Sequence, residues 1–235
     1  MRTRRVSTIQ ALPTGRLLAD YSLWSADLAH LANDVRRTEP FADLYHLDVA
    51  DGQFVPSLLF FPDLVSALRP LTPKPFHVHL MTLNPARLID DFAEAGADVI
   101  TVHLENPELP AALEQIRARD LSAGIAIQLE TPVEAVLPYL DQIEVIVMMG
   151  TKLGIKGVGL ADEAGPRITA LSGLLTARGL RDQIKISADG GIREQTVPKL
   201  RAAGADMITP GSLAFKSPNL FETTLWLHAL ARQAG

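Results

Sequence analysis

The stretch NPARLIDDFAEAGADVITVH, residues 84–103, holds one complete unit of the chain's architecture. Asn84 is placed to cap a helix, and Pro85 to open it at the position where a missing N–H costs nothing. Gly96 stops that helix, Asp98 turns the chain, and an apolar run follows as a strand. The junction AGADVIT at 95–101 returns as AGADMIT at 203–209. Two copies at such separation do not make a solenoid. They mark one helix-to-strand junction used twice in a larger repeat.

Working outward, strands are predicted at about 17–24, 43–50, 75–81, 98–104, 123–129, 143–149, 183–188 and 206–211. Thr131–Pro132 opens another helix, and a further one over Glu194–Ala203 ends at Gly204. Strands alternating with helices imply parallel βαβ units. Eight of them in ~220 residues fit a (β/α)₈ TIM barrel. An open doubly wound sheet is the runner-up, but no G-x-G-x-x-G follows the first strand. The expected organisation is one barrel domain over 17–235 behind an extension at 1–16. That extension has no obvious packing pattern. It is expected to dock loosely or to touch a neighbouring copy, and to be dispensable for chemistry. Its first fifteen residues carry three arginines, but Pro13 and Gly15 break any apolar core of a signal peptide.

Composition narrows the function. With 47% hydrophobic and 21% charged residues among 235, the chain is neither disordered nor fibrous. A net charge of −5 argues against sequence-independent nucleic-acid binding. The absence of cysteine removes disulfides, thiolate metal sites and cysteine nucleophiles, and a cytoplasmic location is the simplest expectation. No apolar run reaches the ~18 residues of a membrane span.

In a barrel, reactive groups sit at the C-terminal ends of strands. The polar residues there are Ser22, His46, Asp48, His79, His103, Gln128, Asp189 and Ser212. His46 and Asp48 lie two apart on one strand and share a face. Polar groups inside a barrel are costly unless paired or metal-bound. Two His and two Asp from three strands suit Zn, Fe or Mn. Taken singly, each has a plainer reading: a hydrogen-bonded histidine, a turn aspartate. His77 is read as a packed, hydrogen-bonded core residue. Gly190–Gly191 and Gly211–Ser212 follow the last two strands, where barrels commonly hold phosphate on backbone N–H groups.

YHLDVADGQFVP (45–56), FHVHLMTLNP (76–85), the AGAD–strand segment ending at His103, and ADGGI (188–192) together resemble the ribulose-phosphate 3-epimerase family. SLWSADLAHL (22–31) and PGSLAF (210–215) resemble that family's opening and closing segments. The resemblance implies a metal-dependent isomerase. It would epimerise a ketose phosphate, such as ribulose 5-phosphate to xylulose 5-phosphate, through an enediolate. It also implies one divalent metal ion per chain held by His46, Asp48, His79 and Asp189. Asp48 and Asp189 would serve as the acid–base pair. Ser22, His79, Gly154, Gly190, Gly191, Gly211 and Ser212 would contact substrate and its phosphate. The expected partner is that small molecule alone, with no nucleic acid or membrane, in a homo-oligomer.

Two departures stand out. Ala50 replaces the family's usual Met and is expected to open space near the reacting carbons. The lid MGTKLGIKGVG (149–159) lacks the family's Pro, Phe and Gln and brings in Lys152 and Lys156. Together they predict a preference shifted away from ribulose 5-phosphate. Another enediolate reaction or a non-catalytic phosphosugar-binding barrel remains as the alternative. Related decarboxylases carry a lysine two residues after the strand-end Asp, and here Val49 and Ala50 follow Asp48.

Overall fold

Leu18 of the first strand pairs with Met207 of the last, and Ser22 with His46 of the second, so the sheet closes on itself. That closure excludes the open doubly wound sheet. The structure, a computed structural model, describes residues 7–231. Its elements are α1 (Thr8–Ala11), β1 (Leu18–Ser22), α2 (Leu31–Thr38), β2 (Leu44–Asp51), β3 (Leu58–Leu59), α3 (Pro62–Leu68), β4 (Phe76–Met81), α4 (Ala86–Glu94) and β5 (Val99–His103). They continue with α5 (Leu109–Ala118), β6 (Ser122–Ile127), β7 (Val145–Met149), α6 (Ala164–Ala177), β8 (Lys185–Asp189), α7 (Val197–Ala203), β9 (Met207–Ile208), α8 (Ser212–Phe215) and α9 (Leu220–Ala229). The strands run in the order β1-β9-β8-β7-β6-β5-β4-β2, with β3 a short antiparallel appendage on β2. The remaining eight strands are parallel and form the TIM barrel that the βα alternation predicts.

Some boundaries differ from expectation. Pro85, not Asn84, is the cap of α4, and a distant side chain serves the helix start instead: Glu108 Oε2 accepts the Ala86 N–H at 3.4 Å. The segment after Thr131–Pro132 is a 3₁₀ helix, Val133–Tyr139, because Pro138 inside it cannot donate an α-helical bond. The helix expected from Glu194 forms only at Val197, after a turn in which the Thr196 hydroxyl donates to the Gly191 carbonyl at 2.8 Å.

The repeated Ala–Asp junction does more than turn the chain. Asp98 Oδ2 accepts the backbone N–H of Phe76 on the neighbouring strand and the Arg69 guanidinium, both at 2.9 Å. Asp206 Oδ2 does the same for Ile186 N–H (2.9 Å) and Arg181 (2.7 Å). Ala42–Asp43 is a third copy, clamping Ala19 N–H (2.9 Å) and Arg16 (2.8 Å). Each aspartate thus ties the start of the adjacent strand to an arginine; Arg16 and Arg181 grip Asp43 and Asp206 with two nitrogens each and keep those buried charges paired, while Arg69 meets the more exposed Asp98 with one.

Apolar side chains between barrel and helices form the main core, with Val35, Phe76, Phe92, Leu113 and Leu171 fully buried in it. A second cluster fills the barrel's lower interior: Leu18, Leu44, Val99, Val145 and Met207. Ile9 and Leu12 from the extension pack into that cluster, and Ile9 N–H donates to Ser122 Oγ at 3.4 Å. Ser7 caps the short α1 by accepting from Gln10 N–H. Residues 7–12 therefore plug the barrel floor, contrary to the expectation of a loosely docked arm. Of the extension's arginines, Arg2, Arg4 and Arg5 lie outside the described residues.

Candidate active site

Above the apolar floor the interior becomes polar. β2 and β4 pair in register, His46 opposite His77 and Asp48 opposite His79. Alternation along each strand turns these side chains into the barrel. β8 contributes Asp189 at its last residue, and β1 contributes Asp20 and Ser22. His46, His77, His79, His103 and Asp20 are wholly buried, while Asp48 and Asp189 reach the mouth.

His46, Asp48, His79 and Asp189 converge on one point. His46 Nε2 lies 3.3 Å from Asp48 Oδ1, 3.7 Å from Asp189 Oδ2 and 3.3 Å from His79 Nδ1. His79 Nδ1 is 3.6 Å from each of those carboxylate oxygens. Ligands about 2.1 Å from a tetrahedral cation stand roughly 3.4 Å apart. The donor set, two imidazole nitrogens and two carboxylate oxygens, therefore fits one borderline divalent ion. Ser22 Oγ donates to the other oxygen of Asp48 at 2.9 Å and holds the carboxylate in that orientation.

The charges are mutually dependent. Burial depresses His46, but Asp48 and Asp20 raise it well above the usual imidazole range. Burial would raise Asp48, yet His46 and His79 hold it far below the usual carboxylate range. Asp20 responds likewise: burial pushes it up, and His77 with His46 bring it down to about 2. Burial drives His103 down to about 4, against the pull of Glu105.

Glu105 is a contributor that strand-end reasoning missed, because it lies beyond β5. Its Oε2 is 3.3 Å from His103 Nδ1, and Oε1 accepts from the Thr131 hydroxyl and from Gln128 N–H. Burial pushes Glu105 up, but His103, Thr131 and Gln128 lower it from 4.5 to about 2. A depressed carboxylate stabilises the fold fully above its unfolded value and loses that contribution as pH falls toward 2. Discounted for solvent screening, the contribution is about 1–2 kcal/mol. Glu105→Gln is expected to be less stable than the parent at neutral pH and to converge with it as acid is added. Urea titrations across that range check this, and a gap independent of pH would refute it.

A cavity of about 480 Å³ opens above the convergent side chains. Of the residues expected at the site, Ser22, Asp48, Gly154, Asp189, Gly190, Gly191, Gly211 and Ser212 line it. His46 and His79 lie beneath, fully buried. Gln128 and His103 stay outside the lining, and His77 is the hydrogen-bonded core residue that its position predicts. Directly after Asp189, Gly190 (φ +88°) and Gly191 (φ +70°) adopt left-handed backbone, and side chains there would strike Thr151 and Leu160. Gly211 likewise abuts Ser25. Arg193, Lys216 and Thr209 also line the cavity and were not anticipated; Thr209 Oγ1 is buried without a protein partner.

The lid is seated. Gly154 (φ +72°) packs on Val55, and its carbonyl accepts from Ser57 Oγ at 3.1 Å. Lys156 Nζ donates to the Trp24 carbonyl at 2.6 Å and stands 5.6 Å from the Trp24 ring centre. Ala50 is buried among Val55, Met81, Phe54 and Leu153. Leu153 and Met81, not Ala50, face the cavity, so the space that Ala50 was expected to open is filled by the lid.

Comparison with known proteins follows the same outline. The barrel superposes on 3-hexulose-6-phosphate synthase (TM-score 0.61, 16% identity, 92% of this chain and 99% of that one). It also superposes on 3-keto-L-gulonate-6-phosphate decarboxylase from Vibrio cholerae (TM-score 0.64, 17% identity, 90% and 99%). At such identity these likenesses concern the fold alone. Sequence relatives are nearer. A ribulose-phosphate 3-epimerase of Synechocystis sp. is 38% identical over 205 residues, covering 86% of this chain and 88% of its own. One of Bacillus subtilis is 35% identical over 196 residues, covering 83% and 90%. The model of the ribulose-phosphate 3 epimerase family matches residues 19–215. With the barrel, the His–Asp mouth and this match in agreement, the chain belongs to the ribulose-phosphate 3-epimerase family.

Proposed function

We propose that this chain inverts the carbon beside the carbonyl of a ketose phosphate, interconverting ribulose 5-phosphate and xylulose 5-phosphate or a related pair. The observation that carries the reading is two carboxylates, Asp48 and Asp189, meeting two histidines at the base of a cavity that Gly190, Gly191, Gly211 and Ser212 also line. Inversion without turning the substrate over needs a proton taken from one face and returned to the other. Two carboxyl groups reaching in from β2 and β8 suit that task, Asp48 steadied by Ser22. One accepts the proton, leaving an enediolate, and the other, protonated, donates to the opposite face. His46, Asp48, His79 and Asp189 would hold one divalent ion, whose identity among Zn, Fe and Mn is left to elemental analysis. When bound, that ion supplies Lewis-acid stabilisation of the charge developing on the substrate oxygens. The glycine backbones, with Ser212, would hold the phosphate and fix the sugar's register. Thr209, buried and without a protein partner, is free to bond the sugar.

The lid would tune substrate choice, since lids complete a site and exclude water. Lys156, drawn to the rim by Trp24, is the lysine proposed to meet an anionic group. A homo-oligomer in the cytoplasm belongs to the same reading. Exposed Leu58 in β3, Phe61 just before α3 and Leu83 in the loop after β4 suit self-association, which light scattering tests.

The test is deuterium wash-in from solvent, with kcat/KM measured across pentulose, hexulose and tetrulose phosphates on metal-loaded protein. Exchange and net epimerisation of at least one ketose phosphate are expected. Lys156→Ala is expected to lower kcat/KM for the preferred one by about 1.5–3 kcal/mol, the worth of one charged hydrogen bond. No exchange with any of them would leave a phosphosugar-binding barrel without catalysis. A clear preference for ribulose 5-phosphate, with Lys156→Ala matching the parent, would make the lid's departures neutral.

A further inference from the structure

A second polar layer lies directly beneath the four convergent side chains, and the epimerisation chemistry does not call on it. It contains Asp20 from β1, His77 from β4 and Thr101 from β5, all wholly buried. Spacing separates the two layers. In the upper one the nitrogens and oxygens stand 3.3–3.7 Å apart, as ligands around a cation do. In the lower one Asp20 Oδ2 is 3.0 Å from His46 Nδ1 and 2.6 Å from His77 Nδ1, and His77 Nε2 is 2.7 Å from Thr101 Oγ1. Those are hydrogen-bond lengths, so protons and not a second ion hold the lower layer together.

The donors can then be assigned. An ionised carboxylate only accepts, so both Nδ1 atoms donate to Asp20. His77 in its neutral form accepts at Nε2 from the Thr101 hydroxyl, and Gly124 makes room for that hydroxyl, since a side chain there would strike it. His46 has one nitrogen left. Its Nε2 faces Asp48, His79 and Asp189.

We propose that Asp20 is the positioning residue of the metal site: by accepting the Nδ1–H of His46 it fixes the tautomer that turns the Nε2 lone pair toward a divalent ion. His77, held by Thr101, braces Asp20. The inference rests on the metal-site reading above. It explains a costly feature of the barrel. Asp20 keeps one carboxylate oxygen, Oδ1, buried without a partner, and an apolar side chain would fill the same layer without that penalty. Carboxylates behind ligand histidines orient the ring and raise its basicity, and their removal typically weakens metal binding 10- to 100-fold.

The experiment compares wild type with Asp20→Asn, which keeps size but not charge. Zn²⁺ affinity is measured by competition with a chromophoric chelator, and imidazole nitrogen-15 NMR is recorded on the Zn²⁺-loaded proteins. Asp20→Asn is expected to bind Zn²⁺ about 10- to 100-fold more weakly while keeping the wild-type circular dichroism spectrum. His46 in the wild type is expected to carry its proton on Nδ1. A folded Asp20→Asn protein with wild-type Zn²⁺ affinity would overturn the proposal. Should that variant fail to fold, the wild-type spectrum decides: a His46 Nδ1 that is unprotonated, or whose proton lacks the downfield shift of a hydrogen bond to a carboxylate, overturns it, and a protonated Nδ1 carrying that shift upholds it. Wild-type protein that binds neither Zn²⁺ nor Mn²⁺ would instead bring down the metal-site reading, and this proposal with it.

Discussion

Asp48→Asn and Asp189→Asn are each expected to cut net epimerisation by about 10²–10⁴-fold, the usual worth of a positioned acid–base group. Both replacements preserve size, so the Ser22 contact to residue 48 and the barrel around it need not rearrange. What is lost is the proton carrier for one face. The surviving carboxyl keeps its own face, so deuterium wash-in outlasts inversion in one of the variants. A general loss of structure would abolish both together. Because the same two side chains belong to the convergent His–Asp set, metal content has to be measured beside the rate. Near-normal turnover in either variant, with metal content unchanged, would remove that residue from the acid–base pair.

The second large effect is expected at the opposite end of the barrel, on stability. Ile9 has no exposed surface and packs with Leu18, Leu44, Val99 and Val145. Truncating a buried isoleucine costs about 2–5 kcal/mol, the transfer term plus the cavity left behind. Ile9→Ala is expected to fall in that range, and deletion of residues 2–15, which also removes Leu12, to cost at least as much. Activity per folded molecule should stay within a few-fold of wild type, since no cavity-lining residue lies among the described residues of that segment, 7–15. Urea titration alongside kcat/KM reads both quantities. An unchanged unfolding midpoint for Ile9→Ala would show that the plug adds nothing.

The sequence made the barrel legible because each βα unit carries local punctuation. Gly96 and Gly204, both in left-handed backbone, end helices just before strands, and the spacing of His46 and Asp48 declares a shared face. Much of the site was readable for the same reason: the four convergent His and Asp residues stand on strands near their C-terminal ends. Other parts depend on distant partners. Asp20 sits in LADYS, a strand buried on both faces, where alternation carries no signal, and its partners are 26 and 57 residues away. The plug has only Ile9 and Leu12 to announce it, within a helix of four residues. Asp98 and Asp206 read only as turn residues because the arginines that complete their clamps lie 29 and 25 residues off. Ala50 read as empty space because its filler, Leu153, arrives from another loop.

The floor plug also constrains the order of assembly. Ile9 bonds Ser122, 113 positions later, and packs on Val145 and Met207 as well. On the ribosome, the residues around Ile9 emerge close to Leu18 but long before Ser122, Val145 and Met207 exist. They must wait through the synthesis of seven strands and remain uncommitted until the ring is nearly complete. Contacts at such separation form late, because loop closure precedes any reward. Sealing the floor is therefore expected to be a closing step of folding, and an intermediate lacking it would expose the ring's apolar underside to other chains.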